Sequence, residues 1–239
     1  MKIKLFLILL FSASLSQAQS FQGTLTYVTD FELSEKVKAM GITKESLLDK
    51  MIKEGSWSDT VRMTYKQGNY YCLPNKEPKS FSIYKAETNK IYMIDEETGI
   101  CKIKDASIDY EFQLTGHKPV IKKLDTVVVI NGNKCDVVRV KWDGEEYHYY
   151  YNPLKLKVNP ELFSRHLYDG WAEFLKISKA LPVRLVKVTK GMMTVTMTLV
   201  DVKEKEVNSN LFKIPALVAD KELNAAKPAS NMVVMRVKK

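Results

Sequence analysis

Apolar and polar residues alternate with a period of two along most of the chain, which predicts β-strands rather than helices. Residues 21–28 place Leu25 and Tyr27 on one face and threonines on the other, and residues 61–66 alternate in the same way. Such two-sided strands favour an antiparallel sheet with one covered face over a parallel sheet. Further strands are predicted at 69–73, 80–85, 90–95, 100–104, 108–114 and 120–130.

The clearest hairpin turns at Asp143-Gly144, a dipeptide that favours two-residue turns. A two-residue turn pairs Trp142 with Glu145, and this pairing sets the register of both flanking strands. One face of the hairpin is then charged and the other is apolar and aromatic. The apolar face carries Val138, Val140, Trp142, Tyr147, Tyr149 and Tyr151.

A second hairpin is predicted to turn at Lys190-Gly191, followed by the strongly alternating run MMTVTMTLV. A two-residue turn at this point pairs Thr189 with Met192. Threonines and Lys187 then lie on the polar face. The predicted apolar face consists of Val186, Val188, Met193, Val195, Met197 and Leu199.

Helical periodicity is confined to a few short segments. Residues 33–40 carry apolar side chains at positions i, i+4 and i+7. Thr43 is a candidate N-cap for a second helix, whose apolar stripe follows at residues 47–52. Residues 171–178 are predicted to form a helix capped by Asp169-Gly170. Single helical turns are predicted after Asn159-Pro160 and at 208–214.

The N-terminus has the three-part layout of a secretory signal peptide. Two lysines precede the apolar run LFLILLF, which is followed by small polar residues ending at Ala18. A membrane anchor is the alternative, but a spanning helix needs about 20 apolar residues. No cysteine lies near the predicted cleavage point, so no lipid attachment is expected. Residues 1–18 are therefore predicted to be removed, leaving a periplasmic protein without a stable membrane anchor.

Loss of residues 1–18 and their two lysines would leave 221 residues and lower the formal net charge from +9 to +7. No block of five or six basic residues occurs, and acidic residues are interleaved nearly everywhere, so a nucleic-acid partner is not expected. A chain of this length is compatible with one domain. Residues 19–215 are assigned to it, and residues 216–239 are left open as a tail or a final strand.

Several segments together resemble a known group of proteins. These are the strand at 21–28 that leads into helices, VVVINGNKCDVVRV at 127–140, LPVRLVKV at 181–188 and NSNLFKIP at 208–215. The chain resembles the bacterial lipoprotein carriers LolA and LolB, and related exported Bacteroidetes families of unknown function. This resemblance implies an α+β fold: a strongly curved antiparallel sheet of about ten strands, an incomplete barrel, with a few short helices covering the concave face. It implies no catalytic residue.

Signatures of catalysis, metal binding and cofactor binding are not found in the sequence. His117, His148 and His166 lie far apart without metal-ligand spacing, and each is interpreted as a surface or partly buried polar residue. No nucleophile elbow, phosphate-binding loop or dinucleotide fingerprint occurs. The protein is therefore not expected to be an enzyme, to carry a cofactor or to bind a metal.

Three cysteines allow at most one internal disulfide, and an oxidising compartment would permit it. Cys101 and Cys135 both lie in strand-like segments and are the favoured pair. The alternative is that Cys72, Cys101 and Cys135 are all small buried apolar residues.

The two apolar hairpin faces form the candidate ligand site. A curved sheet of this many strands under a few short helices encloses more apolar wall than it fills, and tyrosine and methionine suit the lining of such a space. The sequence thus predicts a protein that binds a lipid, an acyl chain or another hydrophobic small molecule. A scaffold with a filled core and an envelope-protein partner, and an exported hydrolase, remain alternatives. The candidate residues are Val138, Val140, Trp142, Tyr147, Tyr149, Val186, Val188, Met193, Val195 and Met197.

Overall fold

The computed structural model describes residues 20–74, 80–219 and 232–238. The predicted signal peptide lies outside the described residues. The strands are β1 (Gly23–Leu33), β2 (Thr60–Lys66), β3 (Asn69–Pro74), β4 (Ser80–Lys85), β5 (Lys90–Asp95), β6 (Ile100–Asp105), β7 (Val120–Ile130), β8 (Asn133–Lys141), β9 (Glu145–Tyr151), β10 (Arg184–Thr189), β11 (Met193–Glu204), β12 (Leu217–Ala219) and β13 (Val233–Val237). The α-helices are α1 (Glu35–Ala39), α2 (Lys44–Lys53), α3 (Tyr110–Thr115) and α4 (Trp171–Ser178), and short 3-10 helices occur at Pro160–Phe163, Tyr168–Gly170 and Ser209–Phe212.

The described strands form one antiparallel sheet in the order β12-β13-β6-β5-β4-β3-β2-β1-β11-β10-β9-β8-β7, which leaves β12 and β7 as unjoined edges. Ile91 on β5 and Val138 on β8 are eight strands apart, a distance of about 38 Å in a flat sheet. Both residues nevertheless belong to one hydrophobic cluster. The sheet therefore curves around this cluster as an incomplete barrel, and the predicted fold class is confirmed, with thirteen strands instead of about ten.

The concave face is covered mainly by residues 160–178. Phe174 and Leu175 of α4 are completely buried against it. By contrast, α1 and α2 bury no residue. The ammonium group of Lys44 on α2 lies 5.3 Å from the centre of the Phe31 ring at the rim of the face. Among the described helices, none has the length and apolar character needed to cross a bilayer.

A second, smaller hydrophobic cluster lies on the opposite face of β4, β5 and β6. Ile83, Ile94 and Cys101 are buried there beneath Val207 and Phe212. The prediction of one covered face is therefore wrong for these strands, because the chain after β11 crosses their outer side. In the segment that the sequence left open, β13 pairs with β6 and extends the sheet.

The β8–β9 hairpin has the predicted register. Val138 pairs with Tyr149, and Val140 pairs with Tyr147. The backbone N–H of Trp142 donates to the Glu145 carbonyl at 2.8 Å, as the two-residue turn requires.

The β10–β11 register differs from the prediction by one residue, because Thr189 pairs with Met193 and not with Met192. Gly191 has a φ of 73° and allows a three-residue loop. Since side chains alternate between faces, this slip moves the side chains of β10 to the opposite face. Val186 and Val188 consequently lie beside His148 and Glu146 on the outer face, not in the predicted concave face.

Where a strand was predicted at 108–114, the chain forms helix α3 at Tyr110–Thr115. The Asp109 carboxylate accepts a hydrogen bond from the backbone N–H of Phe112 at 3.0 Å, an N-cap contact. Gly116 ends the helix in the left-handed conformation, with a φ of 71°. These local capping signals override the short apolar alternation.

The predicted disulfide between Cys101 and Cys135 is not formed. All three cysteines are free thiols. Cys135 belongs to the main cluster on the concave side, whereas Cys101 belongs to the second cluster. Burial raises the pKa of the Cys101 thiol to about 11, so this thiol is protonated at neutral pH. The alternative interpretation, of small buried residues, fits both positions.

Candidate functional site

A cavity of about 180 Å³ lies between the concave face and the chain at residues 166–171. Five of its twelve lining residues are tyrosines, and we call it the tyrosine cavity. The lining residues are Tyr27, Met63, Tyr65, Tyr70, Tyr149, His166, Tyr168, Asp169, Trp171, Pro182, Leu185 and Met197.

Buried hydrogen bonds hold the segment before α4 against β4–β6. Asn89 is only 5% exposed; its side-chain amide donates to the Arg165 carbonyl at 2.9 Å and accepts from the Tyr84 hydroxyl at 2.8 Å. The backbone N–H of Leu167 donates to the Ala106 carbonyl at 2.7 Å. These contacts fix the position of residues 166–171, which form one wall of the tyrosine cavity.

His166 is a wall residue with an exposed fraction of 3%, so its interpretation as a surface or partly buried residue is wrong. Its Nε2 atom lies 3.0 Å from the Tyr70 hydroxyl, and its ring packs 4.6 Å from that of Tyr84, centre to centre. Burial lowers the pKa of His166 to about 4. The imidazole is therefore neutral at physiological pH, with one donor and one acceptor nitrogen.

Two nitrogen atoms of the cavity wall are buried without a hydrogen-bond partner in the described part of the chain: His166 Nδ1 and Trp171 Nε1. An unsatisfied buried polar group costs about 1–3 kcal/mol, and native proteins contain few of them. The indole N–H of Trp171 can only donate. Trp171, a residue of the cavity wall, therefore has a buried donor without a matching acceptor in the described part of the chain.

Asp169 lies within the short 3-10 helix that precedes α4, in the left-handed conformation with a φ of 58°. Its backbone carbonyl accepts from the Tyr149 hydroxyl at 2.6 Å, and its carboxylate accepts from the Tyr147 hydroxyl at 3.0 Å. The helix N-cap is Gly170, without a side-chain hydrogen bond. The predicted capping by Asp169 thus gives way to tyrosine contacts, and burial raises the pKa of this carboxyl group.

A second pocket of about 210 Å³ adjoins the tyrosine cavity, since Tyr168 and Asp169 line both. We call it the charged pocket. The Lys187 ammonium lies 2.9 Å from the Glu145 carboxylate, and the Lys104 ammonium donates to the Tyr168 hydroxyl at 3.2 Å. Its lining residues are Lys104, Asp109, Tyr110, Glu111, Trp142, Glu145, Tyr168, Asp169, Lys187 and Met232.

The ten residues predicted from the hairpin faces are distributed over several environments. Tyr149 and Met197 line the tyrosine cavity, and Trp142 lines the charged pocket. Val138, Val140 and Tyr147 are buried in the main cluster as core. Met193 and Val195 line neither space, and Val186 and Val188 lie on the outer face.

Most of the cavity wall is not predicted by the strand pattern of the sequence. Met63 and Tyr65 lie on the apolar face of a correctly predicted strand, so strand alternation could have proposed them. His166, Tyr168 and Trp171 come from a turn and the start of a helix, where no periodic signal exists. Their convergence depends on the fold of the segment as a whole.

No model of a known protein family matches the chain, and no curated protein matches it. Among solved structures, it is similar to PNGF-II in space groups C2 and P21, at 12% and 10% identity, over 81% and 82% of this chain, with TM-scores of 0.37 and 0.38. The chain spans about a third of the PNGF-II length, 30% and 31%. It is also similar to the LolA superfamily protein NE2245 from Nitrosomonas europaea, at 7% identity, over 82% of this chain and 91% of that one, with a TM-score of 0.35. At these TM-scores the likenesses have no bearing on what the cavity binds.

The buried imidazole predicts a pH dependence of stability. The pKa of His166 is about 4 in the folded protein and 6.5 in its ordinary environment, so between these values the unfolded chain binds more protons. Stability is then complete above pH 6.5 and falls as the pH decreases toward 4. We expect His166 to account for a loss of about 2 kcal/mol between pH 7.5 and pH 5.

The measurement is urea unfolding of the wild type and of His166→Gln at both pH values. Carboxyl groups that also titrate in this window contribute to both proteins, so the difference between the two losses isolates the histidine. Equal losses in the wild type and the variant would rule out this contribution.

Proposed function

We propose that this protein binds a small hydrophobic molecule with one ring-sized apolar group, held in the tyrosine cavity. The observation that carries the proposal is the unpartnered indole N–H of Trp171 in an aromatic wall. A ligand oxygen that accepts from this N–H would remove the cost of a buried unsatisfied donor. The aromatic rings and methionines around it favour an apolar body.

The volume of the tyrosine cavity limits the size of the ligand that can bind. A cavity of about 150 Å³ accommodates benzene, so the tyrosine cavity at about 180 Å³ accommodates one ring. Drug-sized ligands occupy about 300–1,000 Å³, a range that the tyrosine cavity and the charged pocket reach only together. Of the ligands predicted from sequence, a small amphiphile fits this site better than a long acyl chain. With the predicted export, binding would occur in the periplasm.

The test is calorimetric titration of the purified mature protein with 4-ethylphenol, ethylbenzene and decanoate. We expect 4-ethylphenol to bind more tightly than ethylbenzene, because only the phenol offers an acceptor to Trp171. Decanoate is expected to bind more weakly than either ring compound. Absence of binding by all three would overturn the proposal and favour the filled-core scaffold, which crosslinking to an envelope protein would then identify.

Trp171→Phe is expected to weaken 4-ethylphenol binding by about fivefold, the effect of one hydrogen bond of about 1 kcal/mol. Ethylbenzene binding should stay unchanged, because phenylalanine keeps an aromatic wall. Competition titrations of both probes provide the measurement.

The matched control is Trp57→Phe. Trp57 packs on Phe31 with 4.9 Å between ring centres and does not line the cavity. The Trp57→Phe substitution should change neither the affinity for 4-ethylphenol nor the affinity for ethylbenzene. An equal loss for both probes in Trp171→Phe would assign to Trp171 a packing role instead of a hydrogen bond.

A further inference from the structure

We infer that the ligand of the tyrosine cavity is a neutral carbonyl compound, such as an aryl ketone, whose oxygen accepts hydrogen bonds from His166 and Trp171. This inference rests on the proposed function and names the chemical class of the ligand. It depends on two residues of the cavity wall that each bury a nitrogen atom without a partner in the described part of the chain: His166, at Nδ1, and Trp171, at Nε1.

The hydrogen bond with Tyr70 determines which nitrogen of His166 carries the proton. The Nε2 atom lies 3.0 Å from the Tyr70 hydroxyl. Of these two groups the phenol hydroxyl is the better donor and an unprotonated ring nitrogen is the better acceptor, so the hydroxyl donates to Nε2. In a neutral imidazole the other nitrogen then carries the proton. The Nδ1–H group of His166 is thus a second donor beside the indole N–H of Trp171.

The backbone around the imidazole agrees with a proton on Nδ1. Burial lowers the pKa of His166, and the backbone carbonyls of His166 and Tyr168 act in the opposite direction. Carbonyl oxygens have this effect where they face a ring N–H. Neither carbonyl accepts a hydrogen bond from Nδ1, because that atom has no partner in the described part of the chain. This buried donor therefore lacks an acceptor within the protein.

The tyrosine hydroxyls of the wall are already used as donors to the backbone. Tyr27 donates to the Pro182 carbonyl at 2.8 Å, and Tyr149 donates to the Asp169 carbonyl at 2.6 Å. Among the described residues that line the cavity, the buried side-chain atoms without a partner are the two nitrogens. A ligand hydroxyl would add a third donor to this wall, whereas a carbonyl oxygen only accepts.

The two donor residues lie near enough to each other to serve one ligand group. The rings of His166 and Trp171 are 6.3 Å apart, centre to centre, with an angle of 52° between their planes. An oxygen that accepts two hydrogen bonds lies about 2.9 Å from each nitrogen, so donors up to about 6 Å apart can share it. A carbonyl oxygen has the two lone pairs that this arrangement requires.

The charge of the wall favours a neutral ligand over a carboxylate. None of the lining residues is a lysine or an arginine, and burial lowers the pKa of His166 to about 4, so its imidazole is uncharged at pH 7. Burial also raises the pKa of Asp169, another lining residue. A ligand carboxylate would lose its hydration here without gaining a cation. A ketone offers an acceptor oxygen without this cost.

The experiment compares four probes that share one benzene ring: acetophenone, 1-phenylethanol, ethylbenzene and benzoate. Calorimetry with the purified mature protein at pH 7.5 is expected to show acetophenone binding about tenfold more tightly than ethylbenzene, because two donors gain an acceptor. Acetophenone should also bind about threefold to fivefold more tightly than 1-phenylethanol, whose hydroxyl brings an additional donor. Benzoate should bind most weakly.

The outcomes separate this inference from the proposed function. Binding of 1-phenylethanol or benzoate as tightly as acetophenone would overturn the carbonyl inference and leave the proposed function intact. Acetophenone binding no tighter than ethylbenzene would also overturn it, and the proposed function would still be decided by the comparison of 4-ethylphenol with ethylbenzene. Absence of binding by every ring compound would overturn both.

The position of the proton on His166 can be measured without a ligand. Nitrogen NMR of imidazole rings distinguishes a protonated ring nitrogen from an unprotonated one. The chain has three histidines, and the signals lost in His166→Gln identify those of His166. We expect a protonated Nδ1 and an unprotonated Nε2. A protonated Nε2 would remove the second donor and overturn the inference.

His166→Phe is expected to weaken acetophenone binding by about fivefold, the effect of one lost hydrogen bond. Ethylbenzene binding should stay unchanged, because phenylalanine keeps an aromatic ring in the wall. The matched control is His117→Phe, the same change at a side chain that is 70% exposed and does not line the cavity. It should change the affinity for neither probe.

An unchanged acetophenone affinity in His166→Phe, or an equal loss for acetophenone and ethylbenzene, would overturn the donor role of His166. Should this buried substitution prevent folding, the nitrogen spectrum of the wild type and the four-probe comparison decide the question with the unaltered protein.

Discussion

Replacement of Phe174 by alanine is expected to lower the free energy of unfolding by about 3–5 kcal/mol, the usual cost of removing a fully buried phenylalanine. Phe174 is completely buried, and its ring stacks on Tyr149 with 4.3 Å between centres. It also contacts Trp171 and Tyr151 at 5.5 Å and 6.0 Å. The truncation would leave a void between α4 and the concave face, where these surrounding rings cannot collapse fully.

Urea unfolding at pH 7.5 measures this loss, and Ile177→Ala on the same helix is its control. Ile177 is 37% exposed, so its truncation is expected to cost about 0.5 kcal/mol. Similar losses at the two positions would show that α4 does not pack by its Phe174 face. Because Trp171 and Tyr149 line the tyrosine cavity, Phe174→Ala should also weaken binding of 4-ethylphenol.

Gly170→Ala is expected to lower the free energy of unfolding by about 2–4 kcal/mol, from overpacking and from a left-handed backbone together. Gly170 has a φ of 67°, and an added Cβ would lie 2.7 Å from Val140 Cγ1 and 3.2 Å from Trp142 Cη2. Both neighbours belong to the main cluster. The turn that carries Asp169 would have to move away from β8.

Gly99→Ala separates the effect of the left-handed backbone from the effect of overpacking. Gly99 has the same φ of 67°, but an added Cβ would meet nothing within 4 Å. Its substitution is expected to lower the free energy of unfolding by about 1 kcal/mol, because only the strain of the left-handed backbone contributes. Thermal or urea unfolding of both variants gives the difference, and equal costs would contradict the close approach of Gly170 to Val140.

Strand alternation predicted the correct pairing register where the residues of the turn specified the turn type. Asp143-Gly144 specifies a two-residue turn, so the pairing of Val140 with Tyr147 could be predicted. Lys190-Gly191 specifies the turn less strictly, because Gly191 fits within a three-residue loop as readily as within a two-residue one. The resulting slip of one residue moved Val186 and Val188 to the outer face.

The errors over residues 108–114 and over the cysteines have different origins. A short apolar alternation does not distinguish a strand from a single helical turn, and in this segment the capping by Asp109 decided the outcome. The positions of Cys101 and Cys135 along strands do not reveal which face of the sheet each thiol occupies. Only the path of the chain after β11, across the outer side of β4–β6, creates the second cluster that buries Cys101.

The sequence by itself determined that the chain forms an antiparallel sheet, where its first clear hairpin turns, and that residues 171–178 form a helix. These properties depend on contacts between residues close in the chain or on the period of side-chain alternation. The tertiary structure decided which residues form the cavity. His166, Trp171, Tyr70 and Tyr149 are brought together only when the sheet curves and the segment before α4 crosses its concave face. Neither event leaves a periodic signal, because both result from packing between strands distant in the chain.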